Sequence, residues 1–182
     1  MRIITGIYKG RTLQTVRDNS VRPATDRVKG TIFNVLQNRL DLNGARVLDL
    51  FAGSGSLGFE ALSRGAAHVT FVDLQRSALA MIERNAEALG CIEECDIFED
   101  DAHSFLRRAP APFDLIFADP PYAWEGIGML PSDILAAGLL RKQGFLIIEH
   151  SKQAAFAPGG SYEVAVCKEF GNTRVSFIVQ PA

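Results

Sequence analysis

Apolar residues fall in short blocks along this chain, and the spacing of the blocks changes twice. Between Val28 and Leu40 they recur near helical intervals (Val28, Ile32, Phe33, Leu36, Leu40), and Thr25 or Asp26 stands where a capping side chain is expected. From Ala45 onward, short continuous apolar blocks alternate with amphipathic stretches. Val47–Phe51, His68–Asp73, Cys95–Phe98, Asp114–Ala118 and Phe145–Glu149 read as buried strands, the third being the weakest. Leu57–Ser63, Gln75–Leu89, Ala102–Arg108 and Pro131–Leu140 read as the helices between and beside them. That alternation predicts a parallel α/β sheet. The C-terminal end differs: Tyr162–Phe170 and Thr173–Val179 flank the turn signal Gly171-Asn172 and predict an antiparallel hairpin. At the N-terminus, Ile3–Thr5 and Thr12–Val16 flank the turn-like Tyr8-Lys9-Gly10-Arg11. A hairpin that small has to dock on the body or on a ligand.

The expected architecture is therefore α/β: a Rossmann-like, seven-stranded, mostly parallel sheet closed by an antiparallel hairpin. Asn43-Gly44 divides it into a basic hairpin-and-helix extension over residues 1–43 and an α/β domain over residues 44–182. A length of 182 residues, 47% hydrophobic and 22% charged, suits one such domain with a short appendage. No apolar run nears the roughly 20 residues of a membrane span. Lys9 and Arg11 come too soon for a secretory core, so a cytoplasmic location is expected. The cysteines, Cys91, Cys95 and Cys167, form an odd and sparse set that fits reduced thiols. With four residues from Cys91 to Cys95 and no histidine close by, a zinc site is not expected, nor any other metal. His68, His103 and His150 are scattered and read as surface or packing residues.

Charge changes the picture. Net charge is −2, yet residues 1–40 hold eight basic residues against two acidic ones, a balance of +6, leaving −8 for the rest. Such asymmetry predicts a basic face for a polyanionic partner on an otherwise acidic body.

The candidate chemistry lies at the strand ends, where open α/β sheets bind ligands. Gly53, Gly55 and Gly58 follow the first strand in the order G-x-G-x-x-G and open a helix, the start of a nucleotide-binding βαβ unit. Asp73 ends the second strand 20 residues after Gly53, the spacing of a carboxylate that takes ribose hydroxyls. Asp100 and Asp101 follow the third strand and Asp119 the fourth, while Asp49 lies inside the first. A loop flanked by Asp49 and Asp119 suits a cationic nucleoside better than one bearing a pyrophosphate. Asp119-Pro120-Pro121-Tyr122 is the most specific signal. The prolines stiffen the backbone so that a carbonyl and a carboxylate converge on one place, and Tyr122 offers a face on which an extruded base stacks. Two acceptors gripping an exocyclic amino group draw its nitrogen towards tetrahedral geometry and free its lone pair.

Asp119-Pro-Pro-Tyr122, after Asp49-Leu-Phe-Ala-Gly-Ser-Gly, resembles the class I S-adenosylmethionine-dependent amino-methyltransferases. Met1-Arg-Ile-Ile-Thr-Gly-Ile-Tyr-Lys-Gly-Arg11, Val21-Arg-Pro-Ala-Thr-Asp-Arg-Val28 and Glu149-His-Ser-Lys152 narrow the resemblance to bacterial 16S ribosomal RNA guanine-N2-methyltransferases of the RsmD type. It covers nearly the whole chain. Asp73 stands where that family more often has glutamate, and Asp100-Asp101 replaces a commoner Gly-Asp. The resemblance implies methylation of N2 of one guanine in 16S ribosomal RNA, on an assembling small subunit, by a monomer that needs no metal or membrane. It implies S-adenosylmethionine held by Asp49, Phe51, Gly53, Gly55, Asp73, Leu74, Asp101, Ala102 and Asp119. Asp119, Pro120, Pro121 and Tyr122 would form the catalytic set, with Lys9, Arg11, Arg22, Arg27 and Lys29 on RNA phosphates. Within the same chemistry, adenine N6 or cytosine N4 is the alternative target. A nicotinamide-dependent oxidoreductase and a non-catalytic RNA-binding module are the readings from other classes.

Overall fold

The computed structural model describes residues 1–15, 26–109, 111–158 and 161–181. Five helices are described: α1 (Asp26–Leu36), α2 (Ser56–Ser63), α3 (Arg76–Leu89), α4 (Ala102–Arg108) and α5 (Leu130–Ala136). The strands are β1 (Arg46–Leu50), β2 (His68–Asp73), β3 (Cys95–Glu99), β4 (Phe113–Ala118), β5 (Leu140–Ser151), β6 (Glu163–Phe170) and β7 (Thr173–Val179). They form one sheet in the order β3-β2-β1-β4-β5-β7-β6. The first five strands are parallel, and β7 pairs antiparallel with both β5 and β6. This is the predicted architecture, with strand order reversing between β1 and β4.

The sheet buries both faces, which is why β1, β4 and β5 read as continuous apolar runs. Val47, Leu115, Phe117, Ile147, Val175 and Phe177 belong to the cluster that also takes in the apolar sides of α1, α2 and α3. Leu48, Leu50, Ile116, Ala118, Leu146 and Ile148 point the other way, into the cluster of α4 and α5. Gly90 in the left-handed conformation (φ 74°) ends α3 where the sequence places its stop.

Three boundaries differ from expectation. Helix α1 ends at Leu36 because the chain turns there, with the amides of Arg39 and Leu40 both donating to the Leu36 carbonyl. Helix α5 ends at Ala136, and Gly138 (φ 67°) redirects the backbone so that Leu140 opens β5 instead of closing the helix. Among the described residues the N-terminal hairpin is short: one bridge, Arg2 to Thr12, flanked by the Ile3 amide on the Arg11 carbonyl (3.0 Å) and the Leu13 amide on the Met1 carbonyl (2.8 Å); Val16, its predicted end, lies outside the described residues. Apolar alternation alone does not distinguish a paired strand from a docked extended segment.

What holds that segment is a buried polar cluster. Glu60, fully buried on α2, accepts the amides of Ile4 (2.7 Å) and Thr5 (3.1 Å) and the Arg64 Nε (2.8 Å). Lys29 on α1 is equally buried. Its Nζ donates to the Arg2 carbonyl (2.6 Å) and Ser56 Oγ (3.0 Å), and lies 3.8 Å from Glu60. Burial pushes the Lys29 ammonium below its ordinary pKa, and Glu60 opposes that shift. The expectation that Lys29 meets RNA phosphate is thereby corrected: its charge is consumed inside the protein. Ile3 and Leu13 complete the docking as buried apolar anchors.

Removing one member of a buried, hydrogen-bonded ion pair leaves the others desolvated and unmatched. Glu60→Ala is expected to cost about 3 kcal/mol or more of unfolding free energy in urea denaturation. A loss below about 1 kcal/mol would show that the N-terminal segment is held by its apolar anchors instead.

Candidate active site

Strands β1 and β4 stay paired through Leu50 and Ala118, and the chain after them runs to helices on opposite faces of the sheet, α2 and α5, the switch point at which a ligand crevice is expected. Gly53 (φ 53°) and Gly55 (φ 71°) hold the loop after β1 in the left-handed region. A Cβ on Gly53 would meet no protein atom within 4 Å, whereas one on Gly55 would come 2.9 Å from the Phe59 ring. Gly53 thus leaves open space in the loop, and Gly55 lets α2 start close to its own packing partner.

Asp73 holds this loop from the neighbouring strand. Its Oδ2 accepts the Gly53 amide and its Oδ1 the Gln75 amide, each at 2.8 Å. Asp49 is buried in β1 and accepts the Gly58 amide through Oδ2 (2.9 Å). Burial, with Asp73 adding repulsion, pushes the Asp49 carboxyl up to about 8 despite that hydrogen bond. Asp101 Oδ1 caps α4 through the Ser104 amide (3.1 Å), beside buried Ala102. Asp100 is engaged by Arg108 (2.6 Å). Leu74 is exposed.

Asp119 follows β4. Its carboxyl is raised well above the ordinary range by burial first, then by the charges of Glu149 and Asp49. Pro120 is buried and Pro121 exposed, and the Pro121 carbonyl accepts the Trp124 amide (2.8 Å), closing a tight turn. Tyr122 is 65% exposed as a residue, while its hydroxyl is within 2.9 Å of Thr173 Oγ1 at the start of β7. The ring is therefore tethered at its tip and open on its face.

Sequence reasoning left three participants out of the site: Glu149, Thr173 and Trp124. Glu149 sits near the end of β5 as Asp119 follows β4, so the strand-end rule that selected Asp119 applies to it equally. Thr173 carries no such signal, because its role depends on an antiparallel pairing distant in sequence. Trp124 lies edge-on to Phe51 (5.0 Å) and stacks on His103 (5.0 Å), joining the loops after β1 and β4 to α4. Phe51 itself adopts φ 62°, a conformation that costs a non-glycine residue about 1–2 kcal/mol and is held here by that contact.

The sequence-predicted RNA ligands divide. Lys9, Arg11 and Arg27 are exposed. Arg11 donates to the Ala88 carbonyl (2.7 Å), and the Arg27 guanidinium lies 6.0 Å from the Phe170 ring. Lys29 is internal, and Arg22 lies outside the described residues. A depression of about 880 Å³ lies between residues 5–7, the C-terminal end of α1 and that of α2, and none of the candidate cofactor, catalytic or RNA-contacting residues lines it.

This site can engage a ligand that combines a cation with hydroxyl groups. Asp73 is an acceptor at the mouth of the glycine loop. Asp49 and Asp119 are carboxyls that a nearby cation would help to ionise, and Gly53 leaves room that a side chain would fill.

A model of the family described as "Conserved hypothetical protein 95" matches residues 1–179. The chain is 40% identical over 84% of its length to "Putative rRNA methyltransferase YlbH" of Bacillus subtilis, covering 84% of that protein. It is 35% identical over 84% of its length to "Ribosomal RNA small subunit methyltransferase D" of Haemophilus influenzae, covering 79% of it. Among solved structures, "Putative methyltransferase yhhF" from Escherichia coli superposes with a TM-score of 0.83 at 29% identity. That match covers 100% of this chain and 98% of the other.

Because the folded state holds the Asp49 proton more tightly than the unfolded chain does, its contribution to stability is full below about pH 4. It is lost as pH rises towards about 8. Asp49→Asn keeps an acceptor for the Gly58 amide but removes this titration. The melting temperature of the variant should gain on the wild type between about pH 5 and pH 9. Parallel curves across that range would show that Asp49 is ionised throughout.

Proposed function

The chain belongs to the conserved hypothetical protein 95 family, that of the RsmD-type ribosomal RNA methyltransferases, and on that premise we propose that it methylates the N2 amino group of one guanine in 16S ribosomal RNA, using S-adenosylmethionine. The observation that carries this reading is the pair formed by Asp119 and Tyr122. A recessed carboxylate beside a proline-stiffened backbone stands next to an aromatic face that is tethered and exposed.

S-adenosylmethionine supplies a methyl group made electrophilic by its sulfonium. Asp49, Phe51, Gly53, Gly55, Asp73, Leu74, Asp101 and Ala102 are the residues proposed to hold it, with Asp119 at the boundary between the two ligands. The acidic flanks of the glycine loop favour its positive charge. Asp73 is placed to accept ribose hydroxyls, and Asp101 to accept from the adenine edge.

On the base side, Tyr122 stacks on the extruded guanine, worth about 1–3 kcal/mol. Asp119 and the Pro120 carbonyl accept the two N2 hydrogens, which localises the nitrogen lone pair. Once nitrogen has gained a carbon it sheds a proton, and Asp119 takes it. A carboxylate whose conjugate acid is held above the ordinary range is the better acceptor. Most of the acceleration comes from positioning. Lys9, Arg11 and Arg27 are proposed to meet RNA phosphates, and residues 1–43 to serve as the RNA-contacting extension; the substrate is the assembling small subunit.

Two measurements test the reading. Small subunits lacking the modification, incubated with enzyme and labelled S-adenosylmethionine, should yield label in N2-methylguanosine by nucleoside mass spectrometry. Asp119→Ala should abolish it. Label only in methyladenosine or methylcytidine would overturn the guanine assignment. Joint reversal of Lys9 and Arg27 to glutamate should weaken substrate binding and make the dependence of log K on log salt shallower by about two phosphate contacts. An unchanged slope would remove these two residues from the interface.

A further inference from the structure

Amino-group grip alone does not choose a base, because guanine, adenine and cytosine all present an exocyclic NH₂. The bases differ in the adjoining ring nitrogen. Guanine carries a donor there, N1–H, whereas adenine N1 and cytosine N3 are acceptors. A site that prefers guanine therefore needs a further acceptor beside the one that holds N2, aligned with the ring.

The sheet supplies one. Strands β4 and β5 are parallel and in register through Leu115↔Phe145, Ile116↔Leu146, Phe117↔Ile147 and Ala118↔Ile148. The next residues along the two strands are Asp119 and Glu149. Since alternate residues share a face, both leave the sheet on the side of Phe117 and Ile147. On β7, Val175 pairs with Glu149 and Thr173 pairs with Ser151, so Thr173 lies on that same face. The Tyr122 hydroxyl is tied to Thr173, which draws the exposed ring towards the β5–β7 side of Asp119. The glycine loop lies on the other flank, after β1. Across the sheet the order is therefore donor loop, Asp119, Glu149, and then the anchor of the stacking ring. Glu149 occupies the base half of the crevice, close enough to Asp119 for the two charges to act on each other.

We infer that Glu149 determines base specificity: its carboxylate accepts the N1–H of the guanine whose N2 is held by Asp119 and the Pro120 carbonyl. This inference rests on the guanine reading above and deepens it. Two neighbouring acceptors match the two neighbouring donors of guanine. Adenine or cytosine would set a ring-nitrogen lone pair against the half-buried carboxylate, and such unmatched polar contacts are a strong source of discrimination.

The test uses small subunits assembled with 16S ribosomal RNA carrying guanosine or 2,6-diaminopurine riboside at the nucleotide that the wild type methylates. Diaminopurine keeps the 2-amino group but presents N1 as an acceptor. The wild type should prefer guanosine strongly. Glu149→Gln offers N1 an amide donor, so the guanosine-to-diaminopurine ratio of kcat/KM should fall at least about tenfold. The affinity of Glu149→Gln for S-adenosylmethionine alone, by calorimetry, should stay at the wild-type value. Glu149→Asp, which keeps the carboxylate, should retain the preference at a lower rate. A ratio unchanged in Glu149→Gln, with both substrates slowed alike or neither slowed, overturns the inference, since a purely structural role would act on both equally. A wild type that leaves guanine N2 unlabelled overturns the guanine reading itself, and that failure is visible without any variant.

Discussion

Carboxyl groups crowded together with little water around them are costly to ionise, and this protein sets three of them at the ends of adjacent strands. Asp49 pairs in register with Phe117, two residues before Asp119, and Glu149 stands beside Asp119 on the next strand. Because β1, β4 and β5 are parallel and side chains alternate, the three carboxylates emerge on one face near one edge. Glu149 and Asp49 both raise the cost of ionising Asp119, which stands between them. The crevice consequently has a standing demand for hydrogen-bond donors and positive charge, which a donor molecule bearing a sulfonium and a base bearing NH groups would satisfy together. The glycine loop, the proline pair and the Tyr122 tether all serve to keep that arrangement in place.

The N-terminal segment is joined to the same machinery from behind. Lys29 touches the Arg2 carbonyl, Ser56 at the start of α2, and Glu60. One buried ammonium thus links the segment that carries Lys9 and Arg11 to the helix that begins at the glycine loop. The apparent surplus of positive charge in the first 40 residues accordingly overstates the basic face, since one of its members works inside the fold.

Strand and helix order was legible because burial on both faces writes itself as continuous apolar runs, and the glycines mark the turns. Helix ends were less legible where a local turn competed with continued helical spacing, as after Leu36 and Ala136. The carboxylates at the strand ends could be read individually, and the structure brings Asp49, Asp73 and Asp119 to one crevice. What the sequence concealed was lateral: which residues of distant strands become neighbours. Glu149 beside Asp119 and Thr173 beneath Tyr122 are products of pairing register, and a one-dimensional reading does not contain register. Lys29 misled for the related reason that a lysine in an amphipathic helix looks the same in sequence whether it faces water or an internal carboxylate.

The chain contains a single tryptophan, Trp124, and it is wedged between Phe51 and His103 at the mouth of the crevice. All indole emission from this protein therefore originates beside Phe51, at the start of the glycine loop, and His103 on α4. The fold carries its own optical reporter, placed where ligand arrival would be seen without any attached dye.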